Sequence, residues 1–125
     1  MRKLVIAIGV LGVAGCATLP PAQPARDIKS IAGKWECTIA TANVARVKST
    51  MTIGDDGKAE IIVPGASNPG PRFVTNYRVE AAKFRWKSDT TGRTGIATLH
   101  EGDGRRVLVH EVDGASAFSE CVPGK

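Results

Sequence analysis

The sequence predicts an all-β domain: an antiparallel meander of about seven or eight short strands that forms a small barrel or a strongly curved sheet. Two observations lead to this fold class. Across residues 28–125, apolar residues alternate with polar ones and show almost no helical periodicity, which is the pattern of half-buried strands. The alternating segments are short and follow one another through turns rich in glycine, aspartate and proline, as in sheets that close on themselves.

The clearest local signal is a hairpin in the first half of the domain. Met51 and Ile53 share one face of "RVKSTMTI", and Ala59 and Ile61 share one face of "KAEIIV". Between these segments, "GDDG" supplies an Asp-Gly pair, which accepts the positive φ angles of a tight hairpin turn. The sequence therefore predicts two antiparallel strands with a common buried face.

The other strand segments show the same alternation. They are "KWECTI", "FVTNYRVE", "KFRWKS", "IATLHE", "RRVLVHEV" and "AFSECV". "EAAK" and "EGDGR" are predicted as short turns, and "PGASNPGPR" at residues 64–72 as the longest loop, because prolines and glycines disfavour regular structure. A short helix is expected before the first strand, capped by Asp27 and ending at Gly33.

Residues 1–15 have the layout of a secretory signal peptide. Arg2 and Lys3 form a basic start, residues 4–13 are apolar, and Ala14 and Gly15 are small, as a cleavage site requires. An apolar stretch of ten residues is too short to span a hydrocarbon core of about 30 Å. A stable transmembrane helix is therefore not expected here.

The tetrapeptide "VAGC" at residues 13–16 resembles the lipobox of bacterial lipoproteins. The resemblance implies that Cys16 becomes the first residue of the mature chain and carries acyl chains that anchor the protein to a membrane. Ala17, in place of aspartate, implies the outer membrane of a bacterial envelope, facing the periplasm. Residues 16–27 would then be a Pro/Ala-rich extended tether, and residues 28–125 the folded domain. A soluble secreted protein cleaved at the same site is the alternative.

Cys37 and Cys121 are the two cysteines that remain after Cys16. Export implies an oxidising compartment, in which paired cysteines form disulfides, so we expect one bridge between the first and last strands of the domain. Because the bridge closes a loop of about 85 residues, the chain-entropy relation gives a stabilisation of up to roughly 4–5 kcal/mol. Two cysteines without close-spaced partners do not suggest a zinc site, and no metal or cofactor is predicted.

The charge balance argues against a nucleic-acid partner. The chain carries 17 basic and 12 acidic residues, a formal charge of +5, and loss of Arg2 and Lys3 with the signal peptide leaves +3. Nucleic-acid binders usually show denser basic clusters with interleaved aromatic residues. The one modest basic run, from Arg78 to Arg93, is predicted to be the solvated face of a β-hairpin, and contact with anionic lipid or an acidic partner is the alternative.

Two further family resemblances bear on function. "IAGKWECTI" resembles the Gly-x-Trp opening of lipocalin-like domains, here Gly33, Lys34 and Trp35, which implies a barrel whose base is closed by Trp35. The spacing of "WEC" and "SEC", together with "YRVEAAKFRWKSD", is similar to small lipoprotein inhibitors of C-type lysozyme. The second resemblance implies inhibition of a hydrolase, although the Ser-Gly-x-x-Tyr loop of that family is not recognisable.

The sequence shows no recognisable catalytic constellation. Pairing of two strands across "EGDGR" would put His100 opposite Val107 and His110 beyond the start of its partner strand. The two histidines are therefore not expected to share a metal ion. Ser119 lacks the glycine-flanked elbow of a serine hydrolase, and we expect a protein that is not an enzyme.

The candidate binding residues are aromatic and basic. They are Trp35, Tyr77, Arg85, Trp86 and Lys87. Aromatic residues of small barrels usually fill the interior, whereas Trp86 lies in a basic strand and is a candidate exposed contact. The sequence thus predicts a lipid-anchored binding module for a small apolar ligand or a periplasmic protein. A hydrolase inhibitor and a structural component of an envelope complex are the alternatives.

Overall fold

The computed structural model describes residues 19–40, 47–63, 72–115 and 118–124. These residues form a 3-10 helix, Ile28–Ile31, and a set of strands numbered in chain order: β1 (Ala22–Gln23), β2 (Gly33–Ala40), β3 (Val47–Ile53), β4 (Lys58–Ile62), β5 (Arg72–Glu80), β6 (Lys83–Ser88), β7 (Thr94–Gly102), β8 (Arg105–Val112) and β9 (Phe118–Pro123). Within the described ranges, no helix is long and apolar enough to cross a membrane.

Strands β2 to β9 form a closed antiparallel barrel. Each pairs with its neighbour in the chain, and β9 also pairs with β2, which closes the ring. The predicted all-β meander is therefore confirmed, and it is a barrel rather than an open curved sheet. Closure gives each of the eight barrel strands two partners, so no barrel strand is left as a free edge.

The short strand β1 adds to the outside of this ring. Ala22 pairs with His100 and Gln23 with Leu99, at the part of β7 that lies beyond its pairing with β6. Further along, the Ala25 amide donates to the Ala82 carbonyl at 2.9 Å, and the Ala25 side chain is buried. The prediction that all of residues 16–27 form a free tether is therefore wrong at its carboxyl-terminal part, because the amides between the prolines can still donate to the barrel.

The chain direction defines two ends of the barrel. The capped end contains the 3-10 helix and the turns that join β3 to β4, β5 to β6, and β7 to β8. At the open end, strands β2, β4, β6 and β8 finish and the next strands begin. Of the predicted loop at residues 64–72, only Arg72 lies among the described residues, and the predicted signal peptide and Cys16 lie outside them as well.

The capped end is densely filled. Ile31 and Leu108 are fully buried, and Trp35 and Phe84 are each 1% exposed. The Trp35 indole donates from Nε1 to the Ile31 carbonyl at 2.8 Å, and the Arg106 guanidinium lies 5.2 Å from the centre of the Trp35 ring. The predicted helix is present as a 3-10 turn, with the Asp27 side chain accepting from the Lys29 amide.

The predicted disulfide joins the first and last barrel strands. Cys37 on β2 and Cys121 on β9 are directly opposite in register and form a disulfide bond. Both side chains point inward and are buried. The bridge therefore reinforces the pairing of β2 with β9, the strand pair on which closure of the barrel depends.

Candidate functional site

A cavity of about 150 Å³ lies inside the barrel towards the open end. Its aliphatic wall comes from Ile39, Ile61 and Val112, which lie at or near the ends of β2, β4 and β8. The remaining lining residues carry polar groups and are Thr75, Tyr77, Trp86, His110 and Ser119. No aspartate, glutamate, lysine or arginine is among the described residues that line the cavity, so its wall is uncharged at neutral pH when His110 is neutral.

Strand alternation explains why these residues meet. Thr75 and Tyr77 lie two positions apart on β5, and His110 and Val112 lie two positions apart on β8. Side chains two positions apart point to the same face of a strand, and in a closed barrel this shared face is the interior. The sequence pattern thus selects which residues point inward, and closure of the barrel brings those of β5 and β8 together.

Tyr77 and His110 form a buried polar pair next to the cavity. The Tyr77 hydroxyl lies 2.6 Å from His110 Nε2 and 3.2 Å from Met51 Sδ, and the two rings meet edge to face with centroids 5.7 Å apart. Because an imidazole nitrogen accepts a proton more strongly than a thioether, we assign the hydroxyl as donor to Nε2. The imidazole proton then lies on Nδ1.

Burial keeps both members of this pair uncharged. Desolvation lowers the pKa of His110 from 6.5 to about 4, since a buried imidazolium loses its hydration. Desolvation likewise raises the pKa of the Tyr77 hydroxyl above its ordinary value. At neutral pH the pair is therefore a neutral hydrogen-bonded unit, suited to an apolar cavity wall.

His110 is not available as a general base for Ser119. The two residues are opposite each other in register, and both line the cavity. However, His110 Nε2 is engaged with Tyr77, and Nδ1 faces Cys121 Sγ at 3.7 Å. A serine nucleophile needs an adjacent base with a free nitrogen, and both nitrogens of this imidazole already face a neighbour.

Trp86 contributes a buried hydrogen-bond donor to the described part of the cavity wall, where it has no partner. The side chain is 9% exposed, and its ring centroid lies 6.4 Å from that of His110. Among the described residues, none accepts a hydrogen bond from Trp86 Nε1. The indole packs over Gly95, where an added Cβ would overlap both the indole and the Glu111 carbonyl. The absence of a side chain at residue 95 therefore leaves the room that the indole occupies.

The structure separates the five residues predicted as binding candidates. Tyr77 and Trp86 line the cavity, and the prediction of Trp86 as an exposed contact is wrong, because its place on β6 puts it on the inward face with Phe84. Trp35 lies at the capped end, away from the cavity. Arg85 and Lys87 lie on the outer face of β6, where Arg85 is 3.2 Å from the Glu80 carboxylate.

The histidine predictions hold in part. His100 is opposite Val107, as predicted, but His110 is opposite Ala97 rather than beyond the start of β7. The register that pairs residue 100 with residue 107 also pairs residue 110 with residue 97, which lies inside the predicted segment "IATLHE". His100 Nδ1 instead lies 2.9 Å from the Pro20 carbonyl. Among the described residues, no cluster of histidine, cysteine, aspartate and glutamate could hold a metal ion.

Sequence reasoning missed the role of His110, although a signal was present. In "RRVLVHEV" the inward positions Leu108, His110 and Val112 alternate with outward ones, so the histidine is in phase with the core.

The chain matches no family profile, no curated protein and no solved structure. Fold and site define the protein as a small closed β-barrel whose internal cavity has no charged residue among its described lining.

Proposed function

We propose that this barrel is a binding module for a small, uncharged, largely apolar ligand that enters at the open end. The observation that carries the proposal is the cavity itself, which has aliphatic walls and a neutral Tyr77–His110 pair at its side. Small barrels usually fill their interior with side chains. This one is filled at the capped end and leaves about 150 Å³ open at the other.

The size of the cavity limits the ligand to about one ring. Apolar cavities of roughly 150 Å³ lined by aliphatic and aromatic side chains can take up a benzene-sized molecule. The described lining carries no charged group that could pair with an ionised ligand, and burial of an unpaired charge is strongly unfavourable. The size of the cavity and the absence of charge from its described lining therefore favour neutral ring compounds as ligands over fatty acids or other anions.

Binding rather than catalysis is the activity that this geometry supports. His110, which could serve as an acid or base, already faces Tyr77 and Cys121 with its two nitrogens. The hydroxyl of Ser119 lies in the same wall but has no free imidazole beside it. A binding site needs neither group to react, and both contribute only shape and polarity to the wall.

The proposal is tested by titration of the full chain with benzene, cyclohexane and indole, followed through the methyl resonances of Ile39, Ile61 and Val112. We expect saturable shifts at these residues. Val112→Phe would fill the cavity and abolish the shifts, whereas Val109→Phe, the same substitution on a residue of β8 outside the cavity lining, would leave them intact. Absence of saturable shifts with all three probes, or normal binding by Val112→Phe, would contradict the proposal.

We also propose that Cys16 carries the membrane anchor that its lipobox-like sequence implies. The path of the chain is compatible with this, because residues 20 and 21 contact the barrel near the β7–β8 turn at the capped end. An anchor on the preceding residues would then leave the open end facing away from the membrane. Intact-mass analysis should show the acylated chain beginning at Cys16, and Cys16→Ser should lack the acyl mass; an unprocessed wild-type chain would refute the assignment.

A further inference from the structure

We infer that the Trp86 indole N–H selects, among ring-sized neutral ligands, those that carry a hydrogen-bond acceptor, such as aromatic ketones. This inference rests on the proposed function and names the ligand class of the same cavity. Its basis is that Trp86 lines the cavity and that its Nε1 is buried without an acceptor among the described residues. Most buried polar groups in native proteins have a partner.

The other buried polar groups of the interior are accounted for within the chain. Tyr77 and His110 satisfy each other, and Trp35 Nε1 donates to Ile31. Arg106 Nε, the other buried nitrogen of the described chain without a hydrogen bond, lies 3.0 Å from the Glu101 carboxylate. Trp86 Nε1 is therefore the buried donor of the described interior that has neither a hydrogen-bond partner nor an ion-pair partner, and it belongs to a residue of the cavity wall.

The position of the indole makes this donor a selective one. Its ring packs over Gly95 and lies beside His110, with the ring centroids 6.4 Å apart, so the N–H cannot turn freely towards solvent. A donor fixed in an uncharged wall discriminates strongly between a ligand that accepts its hydrogen bond and one that leaves it unpaired. Hydroxyl groups of Thr75 and Ser119 also border the cavity, but a hydroxyl can both donate and accept and selects less sharply.

Because the described part of the cavity wall is uncharged, we expect the hydrogen-bond acceptor of the ligand to be a neutral group. A carboxylate would bring a charge that no described lining residue can neutralise. A carbonyl oxygen on an aromatic ring supplies an acceptor without a charge, and the ring fits a cavity of about 150 Å³. Aromatic ketones and aldehydes of one ring are therefore the simplest members of the expected class.

The test uses two probes of equal shape, acetophenone and α-methylstyrene, which differ in a carbonyl oxygen against a methylene group. Both are titrated into the full chain and into a variant in which Trp86 is replaced by 3-benzothienylalanine, which keeps the bicyclic shape and lacks the N–H. We expect acetophenone to bind about five- to tenfold more weakly to the variant, the loss typical of one neutral hydrogen bond. Binding of α-methylstyrene should change by less than about twofold, because it makes no such bond.

Trp86→Phe is the second variant and should show the same contrast between the probes, with some loss of affinity for both because the ring is smaller. If the affinity of acetophenone falls no more than that of α-methylstyrene in both variants, the N–H is not the selective donor and the inference is wrong, while the binding function stands. If neither probe binds the wild-type chain and the cavity-filling test is also negative, the proposed function itself fails.

Discussion

The two ends of this barrel use the same residue type in opposite ways. Trp35 at the capped end is 1% exposed, donates its N–H to Ile31 and lies under Arg106. Trp86 towards the open end is also buried, yet it borders a cavity and its N–H has no acceptor among the described residues. Both indoles point inward from barrel strands, so the difference lies in their neighbours and not in their exposure.

The comparison shows how a small barrel can combine stability with an internal site. At the capped end, the 3-10 helix supplies Ile31 as a plug and a carbonyl as an acceptor, so every group of Trp35 is used for the fold. The open end has no such plug among the described residues. The interior there is lined rather than filled, and the Trp86 N–H has no acceptor among the described residues.

The largest expected effect is on the free energy of unfolding, and it should differ between substitutions of the two tryptophans. Trp35→Ala should lower the free energy of unfolding by about 3–5 kcal/mol, as expected for loss of a fully packed aromatic side chain. Trp86→Ala should cost about half as much, because one side of this ring already borders a cavity and makes fewer contacts there. Denaturant unfolding of both variants provides the measurement. Equal losses would show that the open end is packed as tightly as the capped end.

The next largest expected effect is a loss of stability at acidic pH, caused by the buried imidazole of His110. Since the pKa of His110 falls from 6.5 to about 4 on folding, the unfolded chain binds a proton there more readily than the folded chain. Stability should therefore decrease as the pH falls from 6.5 to 4, by up to about 3 kcal/mol for this group, and become independent of His110 below that range.

The control for the pH effect is His110→Gln, which cannot titrate. Carboxylates contribute to the pH dependence of both chains, so the informative quantity is the difference between the wild-type chain and the variant. We expect the wild-type chain to lose more stability than His110→Gln between pH 6.5 and 4 in urea unfolding. Parallel pH profiles would mean that folding does not lower the pKa of His110 and that the imidazole is not desolvated in the cavity wall.

The smallest effect concerns a turn at the capped end. Ala81 and Ala82 join β5 to β6 with φ angles of 53° and 61°, whereas Asp103 and Gly104 join β7 to β8 with 52° and 75°. An alanine in the left-handed region is strained by its Cβ. Ala82→Gly should therefore raise the free energy of unfolding by about 0.5–1 kcal/mol, after the extra chain entropy of glycine is subtracted.

Gly104→Ala is the matched reverse substitution, because a Cβ at Gly104 meets no atom within 4 Å and would add only conformational strain. It should destabilise the chain by about the same 0.5–1 kcal/mol. Both turn variants lie away from the cavity, so ligand binding should be unchanged in both. A change in ligand affinity would show that the two ends of the barrel are coupled.

Alternation in the sequence was sufficient to predict the barrel strands and the local hairpins, and the cysteine count together with the implied export predicted the disulfide. His100 opposite Val107 follows from the turn alone, because register in a hairpin is set by its turn. The contact between Tyr77 and His110 could not be predicted in this way. Their strands are not neighbours in the sheet, and alternation shows which residues point inward but not which of them meet across a closed barrel.

Two other features had misleading local signals. The proline-rich segment has the composition of a free tether, yet Ala22 and Gln23 between its prolines pair with β7. Trp86 lies between Arg85 and Lys87, which suggested an exposed strand, whereas the alternation with Phe84 correctly indicates an inward position. In both cases long-range pairing and strand phase decided the outcome, while the composition of the immediate neighbours did not.

The contrast between the two indoles provides the most direct test of binding at the open end. The full chain, labelled with ¹⁵N, is titrated with acetophenone while the indole N–H resonances of Trp35 and Trp86 are followed. We predict a saturable downfield shift of the Trp86 N–H, as it gains an acceptor, with the Trp35 N–H unmoved because it remains bonded to Ile31. Two unmoved resonances, or equal shifts of both, would contradict a ligand site at the open end that is served by Trp86.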